Sequence, residues 1–182
     1  MSATATTAIP VGTYEDDGVH SSATFAVKHM VVSTFRGRFE DFNATLSVGD
    51  DGEPRLVGIV NADSIVVKDP NLAGHLKSPD FFDTEQYPEI RFESVAFATD
   101  GDRLTVEGDL TIKGRTERVT GTGTITGPAE DPYGNQKLGL ALETIVDRTK
   151  FGLEWNAEMP KGGRVLADDV KLIVELELVK QA

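Results

Sequence analysis

Arg103-Leu104-Thr105-Val106-Glu107-Gly108-Asp109-Leu110-Thr111-Ile112-Lys113 decides the fold class. Leu104, Val106, Gly108, Leu110 and Ile112 share one face, and every residue between them is charged or threonine. An alternation of period two held over this length describes a strand with one dry and one wet face, because a helix would repeat every ~3.6 residues.

The pattern recurs on either side of that stretch. Val170, Leu172, Val174, Leu176 and Leu178 face one way, with Lys171, Glu175 and Glu177 opposite. Residues 118–126 set Val119, Gly121, Gly123 and Ile125 against Arg118 and a row of threonines, and Leu138, Leu140, Leu142, Thr144 and Val146 share a face. The chain holds 18 Val, 18 Thr and 8 Ile, residues that suit a pleated, half-buried backbone. Between the runs lie turn residues: Gly49-Asp50-Asp51-Gly52, Thr99-Asp100-Gly101-Asp102, Lys113-Gly114-Arg115 and Asp131-Pro132-Tyr133-Gly134-Asn135. The reading places eight strands near 21–30, 34–48, 55–66, 89–98, 103–113, 116–127, 136–147 and 168–180. Consecutive strands on short turns make an antiparallel meander, and closing it into a barrel removes the sheet edges. A two-sheet sandwich is the rival, and periodicity alone does not separate the two.

Residues 69–88 break the alternation. Asp69 before Pro70, and Ser78 before Pro79, each read as a helix cap followed by proline at the first helical position. Two short helical turns carrying Leu72, Leu76, Phe81 and Phe82 are expected there. An insert this long either closes over an apolar ligand as a lid or plugs a barrel end.

Composition narrows the function. The chain has 182 residues, 18 Lys and Arg against 30 Asp and Glu, a net charge of −12 and no cysteine. One domain over 1–182 is expected, with 1–11 as a flexible tail. Disulfides, cysteine nucleophiles and thiolate metal centres are out. Scattered single cations in an acidic chain exclude nucleic acid. No apolar run approaches the ~20 residues that span a bilayer, so the chain is not membrane-spanning. The first ten residues lack the basic and apolar regions of a signal peptide, which points to the cytoplasm.

No catalytic or metal constellation assembles. His20 and His29 stand an odd number of residues apart, so a regular strand would point them to opposite faces; no HExxH, HxH or G-x-S-x-G occurs. The pairs Asp16-Asp17, Asp50-Asp51 and Asp168-Asp169 read as solvated turn residues. What is abundant is inward apolar surface, and an eight-stranded barrel is just wide enough to be filled by side chains or to hold one small ligand. Gly108, Gly121 and Gly123 remove side chains from that interior. Aromatic side chains filling those gaps would account for the pattern equally well, so solid and hollow readings both stand.

An ordered set of motifs resembles the YceI-like family. It runs from Gly12-Thr13-Tyr14, His20-Ser21 and Phe25-Ala26-Val27-Lys28-His29 through Phe35-Arg36-Gly37-Arg38-Phe39. It continues with His75-Leu76-Lys77-Ser78-Pro79-Asp80-Phe81-Phe82-Asp83, Tyr87-Pro88, Gly108-Asp109-Leu110-Thr111 and Asp147-Arg148-Thr149-Lys150-Phe151-Gly152. The resemblance implies an extended lipocalin-like eight-stranded barrel with a helical insert, holding a polyisoprenoid, an isoprenoid quinone or a similar lipid. It implies carriage, storage or sequestration, with homodimers common and no cofactor beyond a co-purified isoprenoid or other lipid. Relatives often carry an acidic residue two before the insert histidine, where this chain has Ala73. Many relatives are exported behind a signal peptide, which is not seen here. Wall residues expected on this basis are Phe25, Val27, Phe39, Phe92, Val106, Leu110, Leu140, Leu142, Leu172 and Val174, with Phe81 and Phe82 at the mouth. His29, His75 and Arg148 are the polar groups expected near a ligand head, although Arg148 also suits a structural ion pair. The alternative is an isomerase, cyclase or hydrolase working on a hydrophobic substrate inside the barrel with His29 or His75 as proton carrier.

Overall fold

The computed structural model describes residues 8–182. Its strands are β1 (Gly12–Asp16), β2 (Ser22–His29), β3 (Ser33–Phe39), β4 (Phe42–Val48), β5 (Pro54–Asn61), β6 (Ile65–Val66), β7 (Glu89–Asp100), β8 (Arg103–Ile112), β9 (Arg115–Glu130), β10 (Gln136–Asp147) and β11 (Leu166–Lys180). One helix, α1 (Pro70–Lys77), lies between β6 and β7.

Three pairs of these strands act as single bent ones. β11 pairs with β1 at Asp16↔Leu178 and continues along β2 from Ser22↔Glu175. The β1–β2 run pairs in turn with β4 and β3, and the β3–β4 run pairs with β6 and β5. Counted this way, eight antiparallel strands follow one another in chain order and the last closes onto the first. Each strand therefore has neighbours on both sides, which decides for the barrel against the sandwich.

The differences from the expected strands have local causes. The run expected over 34–48 is broken at Glu40-Asp41, and that over 55–66 is broken by a 3-10 turn, Ala62–Ser64. Here side chains compete with the ladder for backbone groups. The Asp16 carboxylate accepts from the Ala44 amide at 2.7 Å. Ser64 Oγ accepts from the Asp41 amide at 3.1 Å and donates to the Asn61 carbonyl at 2.6 Å. The first strand begins at Gly12, earlier than expected, because Tyr14 faces inward and is fully buried. Of the segment read as a tail, 1–7 lie outside the described residues. Ile9 is buried in the core and the Pro10 carbonyl accepts the Tyr14 hydroxyl at 2.8 Å, so the fold begins before residue 12.

In the insert only the first helical turn signal makes a helix. Asp69 caps α1 by accepting from the Asn71 amide at 2.8 Å, with Pro70 at the first position. Ser78 ends that helix and does not start a second; its carbonyl accepts the Phe81 and Asp83 amides, both at 3.0 Å, in a tight non-helical turn. No helix among the described residues is long and apolar enough to cross a membrane.

The core divides along the barrel axis. At one end Tyr14, Leu46, Leu104, Leu138, Leu140 and Leu178 fill the interior. At the other, Phe25, Ile65, Leu76, Phe81, Leu110 and Phe151 line the walls and the underside of the insert.

Candidate functional site

The wall sequence of the insert end leaves a space that its own side chains do not fill. A cavity of about 670 Å³ runs from Ala44, Leu56 and Val106 at mid-barrel up to α1 and the 153–166 segment. That volume lies inside the ~300–1,000 Å³ usual for small-molecule sites. Its wall is almost wholly apolar, because each strand turns its dry face inward.

Glycine shapes this space differently at each position. At Gly108 a Cβ would overlap the Phe92 ring and the Glu93 carbonyl, so the ring occupies the vacancy and no hollow results. At Gly123 a Cβ would strike the Ala141 carbonyl of β10, so this glycine serves close strand approach. Gly121 does open the cavity: a Cβ there would meet nothing nearer than 3.7 Å, and the residue lines the wall. Gly58 does so more fully, with nothing within 4 Å of its Cβ position. The β9–β10 ladder also stops at Glu143↔Thr122, and beyond it the Thr144 hydroxyl donates to the Thr120 carbonyl at 2.9 Å.

Aromatic rings make the upper wall. Phe25 sits 6.0 Å from Phe35 and 5.9 Å from Phe39, centroid to centroid, and Phe39 meets Phe82 edge-on at 5.7 Å. Opposite, His75 lies edge-on to Phe81 at 5.0 Å and to Trp155 at 4.8 Å. Such tilted and edge-on pairs hold large side chains in fixed positions around the opening. His75 Nε2 meets the Asp80 carboxylate at 3.0 Å. The insert histidine thus has an acidic partner five residues further along, although Ala73 stands two residues before it.

Arg148 stands at the top of the wall, only 6% exposed. It begins a 3-10 turn, Arg148–Phe151, whose cap Asp147 accepts from the Thr149 amide at 2.9 Å. The Thr149 hydroxyl and amide on that cap hold the Asp147 carboxyl below the usual carboxylate range. The Arg148 guanidinium donates from Nε to the Ala167 carbonyl at 2.8 Å, and from Nη1 to those of Leu153 at 2.6 Å and Trp155 at 2.9 Å. Burial lowers its pKa from the ordinary arginine value. Its Nη2 has no hydrogen bond, and the Asp168 carboxylate lies 3.7 Å away. Arg148 is first a clamp that ties three carbonyls of the 153–167 segment to the barrel wall, with the carboxylate pair as a minor contact.

Of the residues expected at the site, Phe25, Val27, Phe39, Phe92, Val106, Leu110, Leu142, Leu172 and Val174 line the cavity. So do Phe81, Phe82, His29, His75 and Arg148. Leu140 does not: it points to the same face of β10 as Leu142 but sits one step deeper, in the filled end with Leu104 and Leu138. Period two fixes the face of a strand and not the height along the barrel, which is why the sequence could not separate them. Phe35, Phe42, Leu56, Gly58 and Trp155 line the cavity as well and are not among the residues expected from the sequence. The inward parity of Leu56 and Gly58 was legible; Trp155 lies in an irregular segment without periodicity.

Comparison with known proteins bears on this geometry. The model of the YceI-like domain matches residues 14–178. A UPF0312 protein of Staphylococcus aureus (bovine strain RF122) is 33% identical over 164 residues, covering 88% of this chain and 94% of that one. Among solved structures, BcnA of Burkholderia cenocepacia aligns with a TM-score of 0.74 at 24% identity, over 91% of this chain and 99% of that chain. A polyisoprenoid binding domain from Saccharophagus degradans, implicated in plant cell wall breakdown, aligns with a TM-score of 0.68 at 13% identity, over 94% of this chain and all of that domain (100%).

Proposed function

The chain belongs to the YceI-like family, and on that premise we propose that it holds a long hydrophobic molecule in its barrel for carriage, storage or sequestration. The observation that carries the reading is the apolar cavity of about 670 Å³, closed at one end by Tyr14 and its neighbours and open at the other. A polyisoprenoid or isoprenoid quinone suits it: the tail runs down toward Leu56 and Val106, and the head stays near His29, Ser33 and Arg148. The polyisoprenoid binding domain with the same fold supports this class of ligand.

Energetics favour such a molecule. Apolar surface leaving water contributes roughly 25 cal/mol per Å², so a few hundred Å² gives about 10 kcal/mol before association costs. With few polar groups on the wall, selection is by length and girth. Binding without turnover is the reading that the family and the polyisoprenoid binding domain of the same fold support.

The test is native mass spectrometry of protein purified from cells, followed by uptake of polyprenyl alcohol and ubiquinone by delipidated protein. A stoichiometric lipid adduct, or uptake at micromolar concentration, is expected. Clean apo protein that takes up neither would sink the proposal.

A further inference from the structure

The hairpin joining β2 to β3 carries three large apolar residues into solvent. Met30 is 44% exposed, Val31 79% and Val32 84%. Among the described residues the other exposed large apolar side chains stand singly along the chain, as Val19, Val95 and Ile145 do. The backbone makes the choice of residues more telling. Met30 has φ of 51° and Val31 of 65°. Tight hairpins usually place glycine or asparagine in that left-handed region, and a β-branched residue is rare there. The turn therefore holds residues unsuited to its own conformation and unshielded from water. Such outliers collect at functional sites.

The tip adjoins the opening of the cavity. His29 and Ser33, the residues on either side of it, pair with each other and both line the cavity. Ser33 shares the inward parity of Phe35 yet is exposed, so the cavity meets solvent beside the tip. The Met30 amide donates to the Val165 carbonyl at 2.7 Å, which ties the tip to the neighbouring 157–165 loop. That loop adds Met159 and Pro160 with Lys161 and Arg164, Glu158 being its one acid, and Lys28 is exposed at the foot of the hairpin. In a chain of net charge −12, Lys161 and Arg164 place two cations on the loop beside the apolar point, while Lys28 faces the β11 bulge that carries Asp168 and Asp169.

We infer that the Met30–Val32 tip is a lipid-surface anchor, which seats the cavity mouth on a bilayer so that an apolar ligand passes between membrane and barrel without crossing water. Size selects this occupant over a protein. A stable protein interface takes roughly 20–30 residues a side, whereas shallow insertion to about 5–10 Å needs only a small apolar point. Lys161 and Arg164 then reach the phosphate level with their aliphatic stems along the acyl boundary. The inference rests on the carrier reading for its purpose, since docking serves a cavity that exchanges lipid.

The experiment is co-sedimentation with vesicles of phosphatidylcholine, chosen because they carry no net charge to repel an acidic protein. It compares the wild type, the double variant Val31→Asp/Val32→Asp, and Val31→Gly/Val32→Ser, whose residues suit the turn and keep the fold. Uptake of a fluorescent fatty-acid probe is measured for all three in vesicle-free solution. Partition of the wild type, lowered at least tenfold in both variants with probe uptake unchanged, is the expected result. A wild type that stays in the supernatant overturns the inference, as does equal partition of all three. Self-association abolished by the variants, without vesicle binding, overturns it in favour of a second copy as the occupant. Vesicle binding that depends on the tip, in proteins that take up no probe, upholds the anchor and strikes the carrier reading instead.

Discussion

Gly58→Leu is the substitution that most directly tests whether the cavity is a binding site. Gly58 lies on β5 between Leu56 and Val60, has the inward parity of both, and lines the cavity with nothing within 4 Å of its Cβ position. A leucine there enters empty space, so it should cost the fold nothing. Burying a leucine side chain stabilises by roughly 1.5–3 kcal/mol, and relieving a strand of an interior glycine adds to that. The expected outcome is a melting temperature unchanged or raised by a few degrees. Ligand binding moves the other way. Displacing about four methylenes of a bound tail at about 0.8 kcal/mol each removes about 3 kcal/mol, more than a hundredfold in Kd. Competition of a polyprenyl alcohol against a fluorescent fatty-acid probe, with thermal unfolding of the same preparations, reads both quantities. A stable variant that binds as tightly as the wild type refutes the placement of the ligand. A variant destabilised by more than about 2 kcal/mol refutes the emptiness of the space, since only overpacking costs that much.

Gly108→Ala provides the contrast: its Cβ would run into the Phe92 ring and the Glu93 carbonyl, so a loss of about 1–3 kcal/mol in denaturant unfolding is expected, with less effect on ligand affinity than Gly58→Leu. Arg148→Met deprives three carbonyls of their donor and should cost about 3–5 kcal/mol in the same assay; a loss under about 1 kcal/mol would show that water replaces the clamp. His20 is raised from the ordinary histidine range, first by its hydrogen bond to Asp17 and then by the Asp17 and Glu177 charges, while the same hydrogen bond lowers Asp17. The His20 contribution is therefore complete below the ordinary value of ~6.5 and fades as pH rises through the raised one, whereas that of Asp17 is lost only in acid, as pH falls through its lowered value. An NMR titration should find His20 above the ordinary range and returned toward it in Asp17→Asn.

The strand pattern was legible because alternation is imposed by the barrel itself: Leu104, Val106, Leu110 and Ile112 face one interior, so β8 could be read to within a residue of its ends. Closure was legible only as an economy of edges, since the pairings that effect it join residues as remote as Tyr14 and Lys180. What the sequence did not reveal is where along the axis the interior stops being solid. Gly108 and Gly121 both follow an apolar residue pattern on adjacent strands, yet Phe92 leans onto the first and leaves the second bare. That difference depends on which rotamer a neighbouring strand offers, and no periodicity carries it.

The strand breaks explain how one barrel holds both a plug and a cavity. They fall at 17–21, 40–41 and 62–64, and the ladder places them side by side: Ala23 pairs with Phe39, Phe42 with Val60, and Phe39 with Ile65. Below this line lie Tyr14, Leu46 and Val48; above it lie Phe25, Ile65 and the insert. Asp16, Asp41, Asn61 and Ser64 stitch the line with hydrogen bonds, so the bend is fixed and not a point of slack. Past the bend β6 contributes only two residues to the ladder, and α1 with Phe81 and Phe82 completes the wall that β5 and β7 form lower down. At that level the girth of the cavity is set by side chains of the insert together with those of the strands facing it. Exchange of Leu72 or Phe82 can retune the ligand without disturbing the ladder, whereas the depth of the cavity is fixed by the solid end.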